Sequence, residues 1–253
     1  MAVDKNSNAF TFTFSIIMVV VVGAVLSFAA MSLKPRQVKN NIDKKMINIL
    51  TSIGVEADRE NAKELFYANV SKRYILNSKG EIISEKEGEV VSTDPEDPFN
   101  VDVKKEFRDP TMSVDDRHYP LYEATIDGEK VAIIPLVGKG LWGPIWGYVA
   151  LESDFNTIYG ANFDHKTETP GLGAEIKESW FSNPFIGKTI YDESGKLVSV
   201  NVVKGSADPD NPHAVDGITG GTITSNGVDE MLERTFGVYD SYFKNNSQIS
   251  QKQ

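Results

Sequence analysis

Residues 10–33 form a continuous stretch that contains no charged side chain. As an α-helix, at about 1.5 Å per residue, this stretch reaches ~36 Å, enough to cross a hydrocarbon core of about 30 Å. A cleaved signal peptide is the alternative, but its apolar segment usually has only about 7–15 residues. Residues 27–30 also make a poor cleavage site. The stretch therefore predicts a retained single-pass transmembrane helix, preceded by a short tail of residues 1–9.

The charges on either side of this helix favour one orientation. Lys5 precedes it and is offset by Asp4, whereas five basic residues follow it closely: Lys34, Arg36, Lys39, Lys44 and Lys45. By the positive-inside rule, this distribution puts the rest of the chain in the cytoplasm. A long C-terminal domain can nevertheless cross the membrane despite such charges, so both orientations stay open at this point.

Two helical patterns follow the span. Apolar residues recur at helical spacing in residues 34–57 until Gly54 ends the pattern, at Val38, Ile42, Met46, Ile49, Leu50 and Ile53. They predict a stem helix that packs on the core or flanks the membrane, rather than one that binds a partner. A second helix is predicted over residues 58–72, with a buried face made of Ala62, Leu65, Phe66 and Val70.

Three pairs of strand-like segments then indicate antiparallel hairpins. Their turns are residues 77–80 between 73–76 and 81–84, Asp127-Gly128 between 121–126 and 130–137, and residues 193–195 between 189–192 and 196–203. The acidic residues 85–98 contain two prolines and predict an exposed loop. Hairpins with helices at both ends predict an α+β domain with an antiparallel sheet over residues 58–246, followed by a C-terminal tail of residues 247–253.

The composition excludes several classes of function. The 253 residues include 26 Lys and Arg against 36 Asp and Glu, for a formal net charge of −10. Such acidity argues against nucleic acid as a partner, because phosphate backbones are bound by basic surfaces. The chain has no cysteine, so disulfides, thiolate-held iron–sulfur clusters and cysteine nucleophiles are excluded. Its three histidines, His118, His165 and His213, show no spacing typical of a metal site.

A glycine-rich stretch at residues 213–228 carries the strongest chemical signal. Its small and hydroxyl-bearing residues stand just ahead of a helical pattern: Thr219, Gly220, Gly221, Thr222, Thr224 and Ser225. Two adjacent glycines let another molecule approach the backbone closely, and a helix N-terminus favours negative charge. A hydroxyl displayed there suits a phosphate, and Lys204 is the nearest basic candidate in the sequence. A plain loop with a helix cap is the alternative, since neither a Walker lysine nor a G-x-G-x-x-G motif is present.

Two further stretches place glycines beside aromatic or polar residues. Residues 138–151 contain a glycine-rich turn ahead of a buried strand, and Trp142 on this turn could cover a planar ring instead of packing in the core. Residues 165–173 contain the tight turn Pro170-Gly171, whose backbone N–H groups could bond the edge of a planar ligand. His165 and Glu168 in this loop could form an acid/base pair, but polar loop residues are more usually only solvated.

The segment Asp216-Gly217-Ile218-Thr219-Gly220-Gly221-Thr222 resembles the flavinylation motif of the FMN-binding domains, D-G-x-[ST]-G-A-[ST]. In that family the last hydroxyl residue carries FMN through a phosphoester bond, and here this residue is Thr222. The chain departs from the motif at Gly221, where the family usually has Ala, and this change should loosen the loop slightly. Thr219 and Thr224 are the next candidates for attachment.

The three stretches together resemble, in order and spacing, the C subunits of the sodium-translocating NADH:quinone reductases, which also have one N-terminal span. The G subunit of the Rnf complexes shares the flavinylation motif, although Gly-Lys-Gly-Leu-Trp at residues 138–142 is more similar to the reductase. A membrane-anchored binding protein without a cofactor is the third alternative. The reductase resemblance implies an electron carrier with covalent FMN and no NADH site of its own. It also implies a bacterial cytoplasmic membrane location with the flavin domain on the periplasmic side.

The resemblance further implies the partners and the site. The partners would be the other subunits of the complex, the membrane and a flavin transferase that installs the flavin from FAD. Around the phosphate, the expected cofactor-binding residues are Thr222, Thr219, Gly220, Gly221, Thr224 and Lys204. Around the ring, they are Leu141, Trp142, Glu168, Thr169, Gly171 and Leu172. No catalytic residue and no metal ligand is expected.

Overall fold

The computed structural model describes residues 7–247, and its helices and strands form an α+β fold. The α-helices are α1 Asn8–Thr51, α2 Ala62–Asn69, α3 Val103–Arg108, α4 Ser179–Ser182 and α5 Thr222–Asn246. The strands are β1 Val70–Leu76, β2 Ile82–Glu87, β3 Tyr119–Ile126, β4 Glu129–Lys139, β5 Pro144–Leu151, β6 Ile158–His165, β7 Asn201–Val203 and β8 Ala214–Asp216. Short 3₁₀ turns occupy Pro98–Asn100, Val114–Asp116, Gly173–Lys177 and Asn183–Phe185.

The span and the stem helix, predicted as two segments, form one continuous helix, α1, which passes through Pro35 without ending. Its apolar part reaches a mean hydropathy of 2.6, so α1 is long and apolar enough to cross a membrane. Packing divides the chain after Lys45 into two units. In the second unit, the last turns of α1 bury the apolar stripe of the predicted stem: Met46, Ile49, Leu50 and Ile53. The predicted tails, residues 1–9 and 247–253, lie mostly outside the described residues.

The second predicted helix is shorter than expected. The buried face of α2 contains Ala62 and Phe66 as predicted, but the helix ends at Asn69. Val70 then turns to extended geometry and begins β1. The prediction of a helix to residue 72 was therefore wrong, because pairing of β1 with its neighbouring strands overrides the helical spacing of the sequence.

A six-stranded antiparallel sheet in the order β2-β1-β3-β4-β5-β6 is the centre of the domain. The first two predicted hairpins are confirmed as β1–β2 and β3–β4. Asp127 and Gly128 join β3 to β4 with φ angles of 51° and 87°. Positive φ at both positions is the geometry that a two-residue hairpin turn requires.

The third predicted hairpin is confirmed only next to its turn, where Tyr191 and Leu197 form an antiparallel bridge and the Val198 N–H donates to the Ile190 carbonyl at 2.8 Å. The prediction that its second strand continues to residue 203 was wrong. The following residues leave this turn, and β7 pairs in parallel with β8. This pairing joins segments more than ten residues apart, so no local turn signal marks it. It matters for function because it places the loop after β7 beside the glycine-rich segment after β8.

Both faces of the large sheet are covered where β4 runs through it. Along β4, Ala132, Ile134 and Leu136 join the core that packs against α5, while the alternate residues Val131 and Ile133 are equally buried. On α5, an apolar stripe at helical spacing joins this core: Val228, Met231, Leu232 and Phe236. A sheet covered on both faces explains why β4 reads as a nearly unbroken apolar run.

The acidic loop at residues 85–98 is less exposed than predicted. Asp97 is buried, and its two carboxylate oxygens accept hydrogen bonds of 3.0 and 2.8 Å from Nε and Nη2 of the buried Arg73. Arg73 Nη1 also donates to the Gly88 carbonyl at 2.8 Å. The prediction of an exposed loop therefore fails at its C-terminal end, because this bidentate ion pair fastens the loop to β1.

Two glycines set how closely α5 approaches β4. A Cβ at Gly227 of α5 would run into the Lys139 carbonyl oxygen at the end of β4. A Cβ at Gly138 of β4 would lie 2.9 Å from Met231 Cβ of the helix. Without side chains at both positions the helix and strand backbones touch, so the start of α5 lies beside the turn that follows β4.

Candidate functional site

The Asp-Gly pair of the predicted motif holds the loop that carries Lys204. The Gly217 N–H donates to the Val203 carbonyl at 2.8 Å, and a Cβ at this glycine would lie only 2.7 Å from that oxygen. The Asp216 carboxylate accepts the Ala207 N–H at 2.6 Å. These contacts fasten both ends of residues 203–207 against the motif, so Lys204 lies beside it.

The rest of the motif forms a turn that opens α5. Gly220 has a φ of +78°, which favours glycine, and Gly221 is the N-cap. The turn is closed from within the helix, because the Ser225 hydroxyl accepts the Ile218 N–H at 2.9 Å. Thr222 is thus the first helical residue, whereas the sequence predicted that the helix begins after Ser225.

Thr222 lies where a helix offers unpaired N–H groups. The first hydrogen bond inside α5 runs from the Ser225 N–H to the Gly221 carbonyl at 2.9 Å. The N–H groups of the three residues before Ser225 stand outside the helical ladder, at the positive end of the helix dipole. Within residues 7–247 the Thr222 hydroxyl has no hydrogen-bond partner, and its side chain is half-buried.

A cleft of about 210 Å³ lies in front of this helix start. It is lined by four residues predicted from the sequence, Lys204, Thr219, Gly220 and Thr222, together with Gly205, Gly217, Ile218, Ser225 and Asn226. Gly221 is buried next to Ile218 rather than on the cleft wall. The cleft thus combines hydroxyls, a cation and a helix N-terminus, which is a suitable environment for a phosphate.

Thr224 faces away from this cleft. It is 2% exposed, and its hydroxyl donates to Glu168 Oε2 at 2.6 Å. Of the two alternatives to Thr222 for attachment, Thr224 is therefore engaged elsewhere, whereas Thr219 is exposed on the cleft.

Large apolar side chains stand exposed around the glycine turns. The exposed fraction is 64% for Trp142 and 42% for Leu172. Leu172 covers the motif, because a Cβ at Gly220 would lie 2.7 Å from Leu172 Cδ2. The same group includes Leu141, which was predicted, and Ile223, which was not. The available signal for Ile223 was its place directly after the motif, between Thr222 and Thr224.

Two backbone N–H groups of the Pro170-Gly171 loop, which the sequence suggested as donors to a ligand, already have partners in the chain. The Gly171 N–H donates to Glu175 Oε1 at 2.8 Å, and the Leu172 N–H donates to the Thr169 carbonyl at 3.1 Å. These two N–H groups are therefore used within the chain and not open to a ligand edge. Thr169 itself is exposed.

His165 and Glu168 do not form an acid/base pair. The His165 Nδ1 atom accepts the backbone N–H of Glu168 at 3.1 Å. The Glu168 carboxylate is buried and accepts the Trp142 N–H at Oε1, at 2.8 Å, in addition to the Thr224 hydroxyl. Elsewhere in residues 7–247, no group of three or more His, Asp and Glu side chains could hold a metal ion.

Comparison with known families places the chain. Residues 140–236, which contain the cleft and the exposed apolar side chains, match the FMN-binding domain family. The chain is 31% identical to the C subunit of the Na(+)-translocating NADH-quinone reductase of Pseudomonas aeruginosa, over 96% of this chain and 97% of that protein. It is 30% identical to the C subunit of the same reductase from Vibrio campbellii, over 94% of each chain.

Two solved structures resemble the fold described here. The C subunit of the Na(+)-translocating NADH-quinone reductase from Parabacteroides distasonis is 40% identical, with a TM-score of 0.71 over 83% of this chain and 96% of the other. NqrC from Shewanella oneidensis is 26% identical, with a TM-score of 0.66 over 81% of this chain and 96% of the other. The sequence agrees over nearly the whole length and the fold over more than four fifths of it, and the chain belongs to the family of the C subunits of the Na(+)-translocating NADH-quinone reductases.

Proposed function

We propose that this chain is the membrane-anchored flavoprotein subunit of a sodium-pumping NADH:quinone oxidoreductase, with FMN bound covalently to Thr222, and that it relays electrons between redox centres of the complex. The observation that supports the attachment site best is the Thr222 hydroxyl, which is unpartnered within the described residues and stands at the N-terminus of α5. Binding of FMN follows from the matched domain family, and the covalent bond is the further step of the proposal.

The phosphate end of FMN fits the cleft at the start of α5. The N–H groups of the first helical turn and the ammonium group of Lys204 would offset the phosphate charge. Thr219 offers a second hydroxyl on the same wall. Offsetting charge is needed here, because the chain as a whole carries a formal charge of −10 and repels anions at long range.

The ring end of FMN fits the exposed apolar side chains beside the cleft. Trp142 and Leu172 present large apolar surfaces on two separate glycine turns, and Leu141 and Ile223 extend this surface. A planar aromatic ring gains from stacking on an indole and from covering apolar area that otherwise meets water. The polar cleft and the apolar surface meet at Gly220, which contributes to the cleft and lies under Leu172.

Attachment would use FAD and a separate flavin transferase. The Thr222 hydroxyl oxygen would bond to the phosphorus of the FMN half as the phosphoanhydride bond of FAD breaks, so that AMP would leave and the hydroxyl proton would be released. A covalent tether removes the dissociation equilibrium, which suits a relay that must keep its cofactor near fixed partners. Bound FMN supplies the capacity to accept and donate electrons, while this chain positions the ring, limits its contact with water and sets the charge around it.

Membrane attachment follows from α1, and the flavin domain would lie on the periplasmic side of a bacterial cytoplasmic membrane. The basic residues after the span favour the opposite side, but a long C-terminal domain can be translocated despite them. The apolar stretch of residues 10–33 contains no carboxylate, so this helix would anchor the protein rather than carry sodium ions. The other subunits of the complex would supply the NADH site and the electron partners.

Substitution of the two free hydroxyls on the cleft tests the attachment site. The full chain is produced with a competent flavin transferase, and covalent flavin is read as fluorescence of the denatured protein band. Thr222→Val should abolish the signal, because it keeps the side-chain shape but removes the oxygen, whereas Thr222→Ser should keep it. Thr219→Val is the matched control on the same wall and should retain covalent flavin. Fluorescence in Thr222→Val together with its loss in Thr219→Val would move the bond to Thr219.

A further inference from the structure

The sequence resemblance assigned Glu168 to the contacts of the flavin ring, but this role does not explain why its carboxylate is buried and hydrogen-bonded within the chain. Its side chain is buried, at 5% exposure, in the loop after β6. One oxygen, Oε1, accepts the backbone N–H of Trp142 at 2.8 Å, and the other, Oε2, accepts the hydroxyl of Thr224 at 2.6 Å. Both donors are neutral, and both oxygens are engaged by the chain itself.

These two bonds join three separate segments. Trp142 lies on the turn between β4 and β5, Glu168 lies in the loop after β6, and Thr224 belongs to the first turn of α5. The segments are far apart in the sequence, since 26 residues separate Trp142 from Glu168 and 56 separate Glu168 from Thr224. One carboxylate therefore connects the turn that carries Trp142 and the loop after β6 to the helix that begins with Thr222.

Two glycines make room for this carboxylate. A Cβ at Gly140 would lie 2.6 Å from Glu168 Oε1, and a Cβ at Gly173 would lie 2.6 Å from Oε2. The Gly173 Cβ would also collide with the Thr224 hydroxyl oxygen. Neither glycine has a positive φ, so close approach favours glycine at both positions, by Glu168 at Gly140 and by Glu168 together with Thr224 at Gly173. The carboxylate thus lies in a fitted space and not in a loop open to solvent.

The residues that would meet flavin lie one or two positions from these bonds. Trp142 donates its own backbone N–H to Glu168, and its indole is exposed. Thr222 precedes Thr224 by two residues on the same helical turn, and Leu172 precedes Gly173. A shift of either bond therefore changes the distance between the ring-covering side chains and the hydroxyl that takes the phosphate.

We propose that Glu168 is a positioning residue that sets the spacing between the ring-covering turn and Thr222 through its two hydrogen bonds, and not a ligand of the flavin. This role rests on the proposed function, because it concerns how the chain presents Thr222 and Trp142 to FMN. Removal of one bond leaves the fold in place but lets the first turn of α5 and the Trp142 turn move independently. Small misplacements of a reacting group lower rates strongly even when binding is retained.

The test uses the full chain in detergent with purified flavin transferase and FAD. Thr224→Val and Glu168→Ala should each lower the maximal rate of flavin attachment about tenfold or more, with a smaller change in the protein concentration for half-maximal rate. Thr224→Ser keeps the hydroxyl and should restore the wild-type rate. The double variant should attach flavin no more slowly than the slower single variant, because both substitutions break the same contact.

A matched control separates positioning from general loss of stability. Thr235 is also a buried threonine of α5 and lies outside the site. Thr235→Val should attach flavin at the wild-type rate, even if its unfolding midpoint falls as far as that of Thr224→Val. If Thr235→Val slows attachment equally, or if Thr224→Val and Glu168→Ala attach flavin at the wild-type rate, the positioning role is refuted while covalent attachment at Thr222 stands.

The hydrogen bond between the Trp142 N–H and Glu168 can also be measured by NMR in protein without flavin. In ¹⁵N spectra of the flavin-free protein, the Trp142 amide proton should be protected from exchange and shifted downfield by its bond to a carboxylate. Glu168→Ala should remove both signs, whereas Thr224→Val should leave them, because only the other oxygen is affected. An unprotected Trp142 amide in the wild type would show that the contact is absent and would overturn the proposal. If the wild type is protected but accepts no flavin from a competent transferase, the proposed function fails and the positioning role fails with it.

Discussion

Two glycines of the same helix should respond in opposite ways to the same substitution. Gly227 and Gly237 both lie inside α5, and replacement of a helical glycine by alanine contributes about 1 kcal/mol of helix propensity. A Cβ at Gly237 meets no heavy atom within 4 Å, so Gly237→Ala should stabilise the protein by roughly that amount. For a folded unit of about 200 residues this corresponds to a rise in Tm of about 2–4 °C.

At Gly227 a steric clash opposes the same gain in helix propensity. The added methyl group would run into the Lys139 carbonyl oxygen and would lie 3.2 Å from the Lys139 carbonyl carbon. Both atoms belong to the backbone of β4, which cannot move aside as a flexible side chain can. Overpacking costs about 1–3 kcal/mol, and a collision with backbone atoms lies in the upper part of that range, at about 2–3 kcal/mol. After the gain of about 1 kcal/mol in propensity, the net loss should be ~1–2 kcal/mol. Gly227→Ala should therefore lower the Tm by several degrees.

The assay is thermal and urea unfolding of the full chain in detergent, followed by near-ultraviolet circular dichroism. Flavin loading by the transferase is measured on the same samples. Gly227 lies five residues after Thr222, or about 7.5 Å along the helix, so movement of the helix away from β4 should also slow attachment. Gly237→Ala should attach flavin at the wild-type rate. If both variants are stabilised equally, the close packing of α5 on β4 is refuted.

Two further predictions concern buried polar groups outside the site. Asp97→Asn should lower the free energy of unfolding by about 3–5 kcal/mol in urea titrations, because it leaves the buried Arg73 without its counter-charge. A loss below about 1 kcal/mol would contradict the interpretation that this ion pair is shielded from water. Burial raises the pKa of Tyr74 to about 12, while the unfolded phenol titrates near 10. The contribution of the neutral Tyr74 phenol to the free energy of unfolding is therefore fully present below pH ~10 and is lost as the pH rises toward 12. Tyr74→Phe should make this loss of stability at high pH smaller. A free energy of unfolding that stays constant between about pH 9 and 11.5 in the wild type would contradict this pH dependence.

The elements that sequence reasoning predicts well are those with a local physical cause. The apolar stretch at residues 10–33 needs only its length and lack of charge to indicate a helix. Asp127-Gly128 needs only positive φ angles to predict a hairpin. The stripe on α5 and the glycine turn before it are likewise contiguous in the chain, and the structure puts the predicted Lys204, Thr219 and Thr222 around one cleft.

The elements that sequence reasoning missed depend on partners distant in the chain. The parallel pairing of β7 with β8 has no turn signal, so Asn201–Val203 was assigned to a hairpin instead. Asp97 looked like one more acid of an exposed loop until the structure paired it with Arg73. Glu168 is recognisable as a member of a motif, but its bonds to Trp142 and Thr224 arise only when three segments meet.

The central claim is that Thr222 carries FMN, and mass spectrometry of the intact wild-type protein tests it most directly. The full chain is prepared with and without a co-expressed flavin transferase, and the mass of each preparation is compared before proteolysis and fragmentation. The account predicts an added mass of one FMN only with the transferase, located by fragmentation on Thr222. No added mass with a transferase that modifies a known acceptor in parallel would contradict the account, as would an added FMN located on a residue outside the start of α5.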